Sequence, residues 1–275
     1  MPRDAAVSDR PLVYTEFAPG ADARDIALTY WGFHVRALPH EGFVHRVWPD
    51  GCVSLTLVCV NGRGVGAHVL GVRQTPYDVS VHPGVQYWGV RFRPEVGAAW
   101  LGVAPADIRE QNALASTFLG DAAMQLAEQV AALGDISDVQ RVFDAWIASR
   151  AFDRARIDTV VRTAAAAIVA TQGQRAIADI AADVQVSPRV LQRRFGAAVG
   201  ISPKAFAVLR RARSALKRVV DDGVGRDVGG WSGVALASGY ADQAHFVREV
   251  ARLTRFAPTA LRARLDTIEH EQLAD

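Results

Sequence analysis

The sequence predicts an α+β chain, with a small antiparallel β-barrel and accessory helices in the first half and an all-α domain in the second. Two patterns lead to this prediction. From Leu12 to Phe92, short β-like runs alternate with turns that contain Pro, Gly and Asn. From Arg175 to Arg262, apolar residues recur every three or four positions, as in helices that bury one face. The chain has 275 residues, half of them hydrophobic, which is enough for two domains with separate cores.

The β-like runs of the first half are short and closely spaced. They are LVYTEF, GFVHRVW, CVSLTLVCV, GAHVLG, YDVSV and QYWGVRF. Short strands with such turns are typical of a small antiparallel sandwich or barrel. After Pro94 the pattern becomes helical, and helices are predicted over Glu95 to Leu101, Asp121 to Leu133 and Ser137 to Ser149. These helices either close one end of the barrel or supply a dimer surface.

The second half contains a long stretch of one charge sign. Nine basic residues and no Asp or Glu occur between Arg189 and Arg218. From Gln172 onward there are 16 basic and 11 acidic residues, which gives a net charge of +5. The residues before Gln172 include 15 basic and 18 acidic ones, which gives a net charge of −3. Because a solvated helix surface normally mixes both signs, this stretch indicates an anionic partner.

Two short helices joined by a tight turn are predicted, the first just upstream of this stretch and the second at its start. The first runs from Ala176 to Val184, and Ser187 followed by Pro188 begins the second as N-cap and first turn. The apolar face of the second helix consists of Leu191, Phe195 and Val199, and its opposite face carries Arg189, Gln192 and Arg193. Arg binds guanine and Gln binds adenine in the major groove, so the pair matches a helix-turn-helix that reads DNA.

A second copy of this helix pair follows. Trp231 to Ser238 forms its first helix, Gly239 and Tyr240 form the turn, and Asp242 caps its second helix. The inward residues of that helix are Phe246, Val250 and Leu253, and the outward ones include Gln243, Val247 and Arg248.

A spacer helix from Pro203 to Val220 is predicted between the copies. It spans roughly 27 Å at 1.5 Å per residue, which approaches the ~34 Å between major-groove openings on one side of DNA. The predicted DNA-binding residues of both pairs and the spacer are Ser187, Arg189, Gln192, Arg193, Lys204, Arg211, Gln243, His245, Val247 and Arg248. The other basic spacer residues are expected to contact phosphates or to pair with nearby Asp; they are Arg210, Arg213, Lys217 and Arg218.

These residues resemble the double helix-turn-helix domain of the AraC/XylS transcriptional regulators. The first half of the resemblance is IADIAADVQVSPRVLQRRFGAAVGISPKAFAVLRRARSAL, and the second is GYADQAHFVRE. The second half departs from the family pattern at several positions, among them Arg255, where the family has Gly. The resemblance implies a DNA-binding domain over residues 173–275, double-stranded DNA as partner and sequence-specific transcription regulation as function.

The first half resembles an N-terminal domain of unassigned function that precedes some AraC-type domains. The matching residues are Tyr30-Trp31, the turn WPDGC from Trp48 to Cys52, and GVRFRP from Gly89 to Pro94 with the following LGVAPADI. The resemblance implies a cupin-like barrel over residues 1–150 that binds an unidentified effector or a partner. An Ala-rich helix within residues 151–172 links the two domains, either as a spacer or as a transmitter.

An effector pocket in this domain is predicted from Trp31, Trp48, Trp88 and Arg91. Because side chains alternate along a strand, Trp88 and Arg91 fall on opposite faces, which favours core packing for the tryptophans. The strand-rich half also holds His40, His45, His68 and His82. The paired His-x-His of a metal cupin is missing, so neither a metal nor another cofactor is predicted.

The chain is predicted not to be an enzyme. Cys52 and Cys59 are too few for the zinc and thiolate site of a DNA-repair methyltransferase that carries a similar helix-turn-helix. A regulator that binds another protein and only weakly binds DNA stays open as an alternative. RNA polymerase and a second copy of the chain stay open as further partners. The sequence lacks a secretion signal and an apolar run of about twenty residues, so a cytoplasmic location without a membrane partner is expected.

Overall fold

The computed structural model describes residues 11–221 and 230–271. Its strands are β1 (Leu12–Phe17), β2 (Ala27–Val35), β3 (Val44–Val47), β4 (Ser54–Val60), β5 (Arg63–Leu70), β6 (Tyr77–Ser80), β7 (Val85–Phe92), β8 (Asn112–Leu114) and β9 (Ile268–Glu271). Its helices are α1 (Gly97–Leu101), α2 (Pro105–Ile108), α3 (Ser116–Leu119), α4 (Ala122–Ala131), α5 (Ile136–Ser149), α6 (Thr159–Ala170), α7 (Ile177–Asp183), α8 (Pro188–Val199), α9 (Pro203–Asp221), α10 (Gly230–Ala237), α11 (Gln243–Thr254) and α12 (Pro258–Leu265). None of these helices is both long and apolar enough to cross a lipid bilayer.

Seven strands form one sheet in the order β8-β5-β4-β7-β2-β1-β9, and β3 pairs with β6 in a separate two-stranded sheet. Within the described ranges, β8 and β9 are the two edge strands of the large sheet and do not pair with each other, so the sheet does not close on itself. The prediction of a sheet-rich first half and a helical second half is confirmed. The closed, cupin-like barrel stays a prediction.

The two faces of the large sheet have different surroundings. Leu55, Leu57 and Trp88 point to the face that α4 and α5 cover, where they join the main hydrophobic core. Arg91 and Trp31 point to the other face, because successive side chains of a strand alternate. That second face borders two cavities, one of which separates it from α9.

The helix that links the two halves is built into the core of the second half. On α6, Val161, Ala164 and Ile168 are buried in one cluster with α7, α8 and α9. Asp158 caps α6 by accepting a hydrogen bond from the Val161 amide at 3.1 Å. One face of this linker helix is therefore buried in the core of the second half.

The chain returns to the first half at its end. After α12, β9 pairs in parallel with β1 at the sheet edge, with Leu12 opposite Ile268. Over the described part of the second half, the elements are therefore helical apart from β9, and the prediction of an all-α second half is wrong there. Four residues, IEHE, carry no alternating apolar pattern, so the sequence gives no strand signal.

Candidate nucleic-acid interface

The first helix pair, α7 and α8, forms as predicted. The Ser187 hydroxyl accepts a hydrogen bond from the Val190 amide at 3.3 Å, which caps α8. Gln185 has a φ of 56° in the turn between the helices. The inward residues Leu191, Phe195 and Val199 are buried, and Arg189, Gln192 and Arg193 are exposed. The outer face of α8 is thus open to a partner along its N-terminal two turns.

The second helix pair, α10 and α11, also has the predicted cap and turn. The Asp242 carboxylate accepts a hydrogen bond from the His245 amide at 2.6 Å, and Gly239 has a φ of 73°. Phe246, Val250 and Leu253 are buried on the inner side of α11.

The outer side of α11 is less open than that of α8. Gln243 and Arg248 are exposed, but the Gln243 amide oxygen accepts a hydrogen bond from the Ser232 hydroxyl at 2.5 Å. Val247 is half-buried against the core. His245 is half-buried, and its ring meets Tyr240 edge-on with ring centroids 5.3 Å apart. Two of the four predicted contacts on this helix are therefore freely exposed.

The spacer residues point in different directions. Lys204, in the first turn of α9, is exposed. Arg211 forms an ion pair with Glu249 of α11 at 3.1 Å, and its guanidinium lies 4.6 Å from the centre of the Tyr240 ring. The present partners of Arg211 thus hold α11 against α9, and its role as a DNA contact stays a prediction.

Arg210 and Arg213 face the sheet. Arg210 is 8% exposed, and the prediction that it contacts phosphate is wrong because its side chain is enclosed. Arg213 forms an ion pair with Glu16 of β1. Sequence reasoning missed Glu16, since one acidic residue in a β-like run is an ordinary solvent-facing pattern.

A buried polar network surrounds Glu16. Its carboxylate accepts hydrogen bonds from the Tyr14 hydroxyl at 2.5 Å and from the Arg91 guanidinium at 2.7 Å. Arg91 also donates to the Asp50 carboxylate. Burial by itself raises the pKa of Glu16, but the charges of Arg213 and Arg91 outweigh burial and lower this pKa to about 2. Glu16 is therefore a permanent anion at neutral pH.

The predicted effector residues are split between two faces of the sheet. Trp31, Trp48 and Arg91 line a cavity of about 340 Å³, called here the sheet cavity, between the large sheet and β3 with β6. Trp88 lies on the opposite face in the core beneath α4 and α5. The alternation of side chains separates Trp88 from Arg91, as the sequence indicates.

A second cavity of about 370 Å³ lies between the sheet and α9, and is called here the sheet–α9 cavity. Tyr14, Phe33, Trp48 and Arg91 line both cavities, so the two adjoin. His40, His45, His68 and His82 do not assemble into a metal site. In the described ranges, no three His, Cys, Asp or Glu side chains come together as a metal site.

Two family models match the chain. One is a helix-turn-helix domain over residues 180–264, which spans α7 to α12, and it is of the AraC type. The other is a domain of unknown function (DUF6597) over residues 15–113. A comparison with curated proteins found no match.

The solved structures that resemble the chain share little sequence identity with it. ToxT from Vibrio cholerae O395 has 11% identity and a TM-score of 0.43, over 81% of this chain and 96% of that one. Wild-type ToxT from strain SCE256, bound to an unsaturated fatty acid, has 11% identity and a TM-score of 0.41, over 94% and 97%. An AraC-type regulator from Chromobacterium violaceum has 22% identity and a TM-score of 0.34, over 39% of this chain and 92% of that one.

Proposed function

We propose that the chain is a sequence-specific transcription regulator in which α8 and α11 enter successive major grooves. The match of residues 180–264 to a helix-turn-helix domain of the AraC type supports this proposal. The observation that carries the proposal is that one continuous helix, α9, supports both reading helices. In this proposal the chain is not an enzyme; it binds DNA and does not change it chemically.

Packing on α9 supports a fixed spacing of the two helices. Phe195 of α8 packs on Phe206 near the start of α9, with ring centroids 5.7 Å apart. Phe246 of α11 is buried in one cluster with Leu216 and Val219 near the end of α9. The 19 residues of α9 span about 28 Å at 1.5 Å per residue. That length suits two helices set about one turn of DNA apart, ~34 Å.

The exposed side chains divide into two roles in this proposal. Arg193 and Gln192 on α8, with Arg248 on α11, reach base edges, since Arg and Gln make bidentate contacts with guanine and adenine. Lys204 and Arg189 lie at the borders of this surface and contact phosphates, which positions the protein without reading sequence.

The sheet-rich half binds an effector or a partner in the same proposal. Support comes from the two adjoining cavities, one of which is bounded by α9 itself. A ligand there contacts the helix that sets the spacing of α8 and α11. The domain limits 1–150, 151–172 and 173–275 remain part of the proposal.

Selection from random duplex DNA with the full chain, followed by footprinting of the enriched sequences, tests the proposal. Two protected boxes about ten base pairs apart are expected. Arg193→Ala should relax sequence preference at one base position of one box and Arg248→Ala at one position of the other. Arg141→Ala, on the exposed surface of α5, should leave both boxes intact. Absence of any enriched sequence would overturn the proposal.

The residues of the second helix pair depart from the AraC/XylS pattern, and this favours one alternative. In that alternative the chain is a regulator that acts mainly through another protein. Val247 and His245 are half-buried there, which reduces the surface that reaches bases. A single protected box that depends on Arg193 but not on Arg248 would favour this alternative. Binding that weakens equally for every DNA sequence as salt rises would indicate phosphate contacts alone.

A further inference from the structure

The linker helix α6 contacts the reading helix α8 through a charged pair as well as through apolar packing. The Arg194 guanidinium of α8 donates two hydrogen bonds to the Asp158 carboxylate, one from Nε at 2.7 Å and one from a terminal nitrogen at 2.6 Å. The same carboxylate caps α6 by accepting a hydrogen bond from the Val161 amide at 3.1 Å. Asp158 therefore begins α6 and holds α8 with one side chain.

Both members of this pair are charged at neutral pH. Burial by itself raises the pKa of Asp158, but the hydrogen bonds from Arg194 and from the Val161 amide outweigh burial and lower this pKa. The Asp158 side chain is 24% exposed and that of Arg194 is 36% exposed, so solvent screens the pair in part. Its contribution to overall stability is therefore small, whereas its two parallel hydrogen bonds give it a fixed geometry.

Arg194 lies between the reading residues and the buried face of α8. Its neighbours in the sequence are Arg193, which is exposed, and Phe195, which is buried. Val161 and Ile168 of α6 belong to the same hydrophobic cluster as Phe195. Apolar packing of this kind is non-directional, and the angles between packed helices scatter by about 15–20°. The ion pair is the directional part of the contact between α6 and α8.

A small rotation of α8 is enough to disturb base contacts. Side chains of a helix reach ~5–6 Å from its axis, so a rotation of about 20° moves the tip of Arg193 by about 2 Å. Hydrogen bonds from nitrogen to oxygen form over a range of only ~0.5 Å. Alignment of Arg193 and Gln192 with base edges therefore needs a tighter restraint than apolar packing gives, and the pair of Arg194 with Asp158 is such a restraint.

The same end of α6 is anchored on the sheet-rich half. Arg162, one turn after Asp158, forms an ion pair with Glu95 at 3.5 Å, and Glu95 is 4% exposed. Arg162 also donates a hydrogen bond to the backbone oxygen of Asp25 at 3.4 Å. Glu95 follows the end of β7 by three residues, and β7 carries Arg91. A continuous set of contacts thus runs from β7 through α6 to α8.

We propose that Asp158 and Arg194 are positioning residues for DNA reading, which set the rotation of α8 about its axis so that Arg193 and Gln192 meet base edges. The inference rests on the proposed function, in which α8 enters a major groove. It gives the linker helix a role that differs from that of α9, because α9 sets the spacing of the reading helices and α6 sets the orientation of α8. Through Glu95 and its partner on α6, this orientation depends on the sheet-rich half.

Binding titrations of the full chain on the selected two-box DNA, and on versions with either box scrambled, test this role. The α8 box is the one in which Arg193→Ala relaxes sequence preference. Asp158→Asn removes the negative charge and keeps a side chain that caps a helix equally well. It should lower the preference for the α8 box over its scrambled version about fivefold or more, and leave the preference for the other box unchanged.

Variants of the partner residue and of a second Arg–Asp pair complete the test. Arg194→Gln should have the same effect as Asp158→Asn, and the double variant should be no worse than either single one. Asp183→Asn is the matched control, because Asp183 pairs with Arg175 at 2.5 Å on the exposed surface of the first helix pair, and it should leave both boxes unchanged. Stronger binding of Asp158→Asn to every DNA sequence would show that Arg194 is a phosphate contact, which would overturn the positioning role.

Hydrogen exchange of the free chain distinguishes this inference from the proposed function. Without DNA, Asp158→Asn should speed exchange of the α8 amides about fivefold and leave those of α11 unchanged, because α8 loses its contact with α6. If exchange and the reading of both boxes stay as in the wild type, the positioning role is wrong and the regulator stands. Faster exchange in α8 without any selected DNA would overturn the proposed function while the contact itself stands. Equal losses at both boxes with a lower melting temperature would indicate a general effect on the fold and would also overturn the positioning role.

Discussion

The guanidinium of Arg213 on α9 donates a hydrogen bond to the buried carboxylate of Glu16 on β1. Glu16 is 1% exposed and lies in the first strand of the sheet, whereas Arg213 belongs to α9, the helix on which both α8 and α11 pack. The pairing of β9 with the same strand adds a second connection between the two halves. The sheet and the DNA-binding half are therefore joined at one strand by an ion pair and by backbone hydrogen bonds.

Glu16→Gln should destabilise the fold by about 3 kcal/mol, because it leaves the buried Arg91 and Arg213 without their shared counter-ion. Urea denaturation at neutral pH measures the change in the free energy of unfolding. Glu41→Gln, the same substitution at an exposed position, serves as control and should change stability by less than about 0.5 kcal/mol. Equal effects of the two variants would contradict the role of Glu16.

The stability that Glu16 contributes should depend on pH in one direction. Its pKa is lowered from 4.5 to about 2 in the folded chain. A lowered pKa means that the unfolded chain takes up the proton first on acidification, so the contribution is complete above about pH 5 and is lost as the pH falls toward 2. The difference in unfolding free energy between wild type and Glu16→Gln should shrink between pH 6 and pH 3. A difference that stays constant over this range would contradict the pKa.

Gly173 should not tolerate a side chain. It has a φ of 69° at the end of the linker helix, and a Cβ there would lie 2.0 Å from the backbone oxygen of Ala207 on α9. Gly173→Ala should destabilise the chain by at least about 2 kcal/mol. Gly196→Ala is the matched control, because Gly196 lies inside α8 with nothing within 4 Å of the new Cβ, and it should stabilise the chain by about 0.5–1 kcal/mol. Thermal unfolding of both variants gives the comparison.

The helices of the second half were predictable because their signals are local. Ser187 with Pro188 and the spacing of Leu191, Phe195 and Val199 fix the start and the buried face of α8 through contacts within a few residues. The predicted helices of the first half also lie within about two residues of α1, α4 and α5. β9 was not predictable, since its pairing depends on the edge of β1 more than 250 residues away in the sequence.

The candidate site was predictable only where exposure follows from helix periodicity. Arg189, Gln192 and Arg193 lie on the open face that the spacing indicates. Arg210 and Arg213 lie on the same helix as the exposed Lys204. The basic residues along this helix give no sign that the sheet covers the part of the helix that carries Arg210 and Arg213. The contact with Glu16 decides the role of Arg213, and burial decides that of Arg210. A pattern of residue types along one chain contains neither piece of information.

Arg255→Gly should stabilise the chain. Arg255 ends α11 with a φ of 60°, a left-handed conformation that suits Gly and that the AraC/XylS pattern fills with Gly. Removal of the side chain relieves a backbone cost of about 1 kcal/mol. Arg252→Gly, one turn earlier on the exposed side of the same helix, should instead destabilise by ~1 kcal/mol. Opposite shifts in melting temperature are expected for the pair, and equal losses would contradict the strained cap.

Arg193→Ala should relax sequence preference at one base position of the selected DNA, at a cost of ~1–3 kcal/mol for the preferred base. Arg193 is exposed on the outer face of α8, one turn inside its N-terminus, where side chains of a reading helix meet base edges.

Lys204→Ala is the contrasting variant, because an exposed Lys at the start of α9 is placed for a phosphate. It should weaken binding to all sequences alike and reduce the slope of log K against log salt by about one. Binding titrations of both variants, at several salt concentrations and on the selected and a scrambled sequence, separate the two roles. If Arg193→Ala behaves as Lys204→Ala does, α8 contacts the DNA backbone through Arg193, and base reading by this helix must come from Gln192.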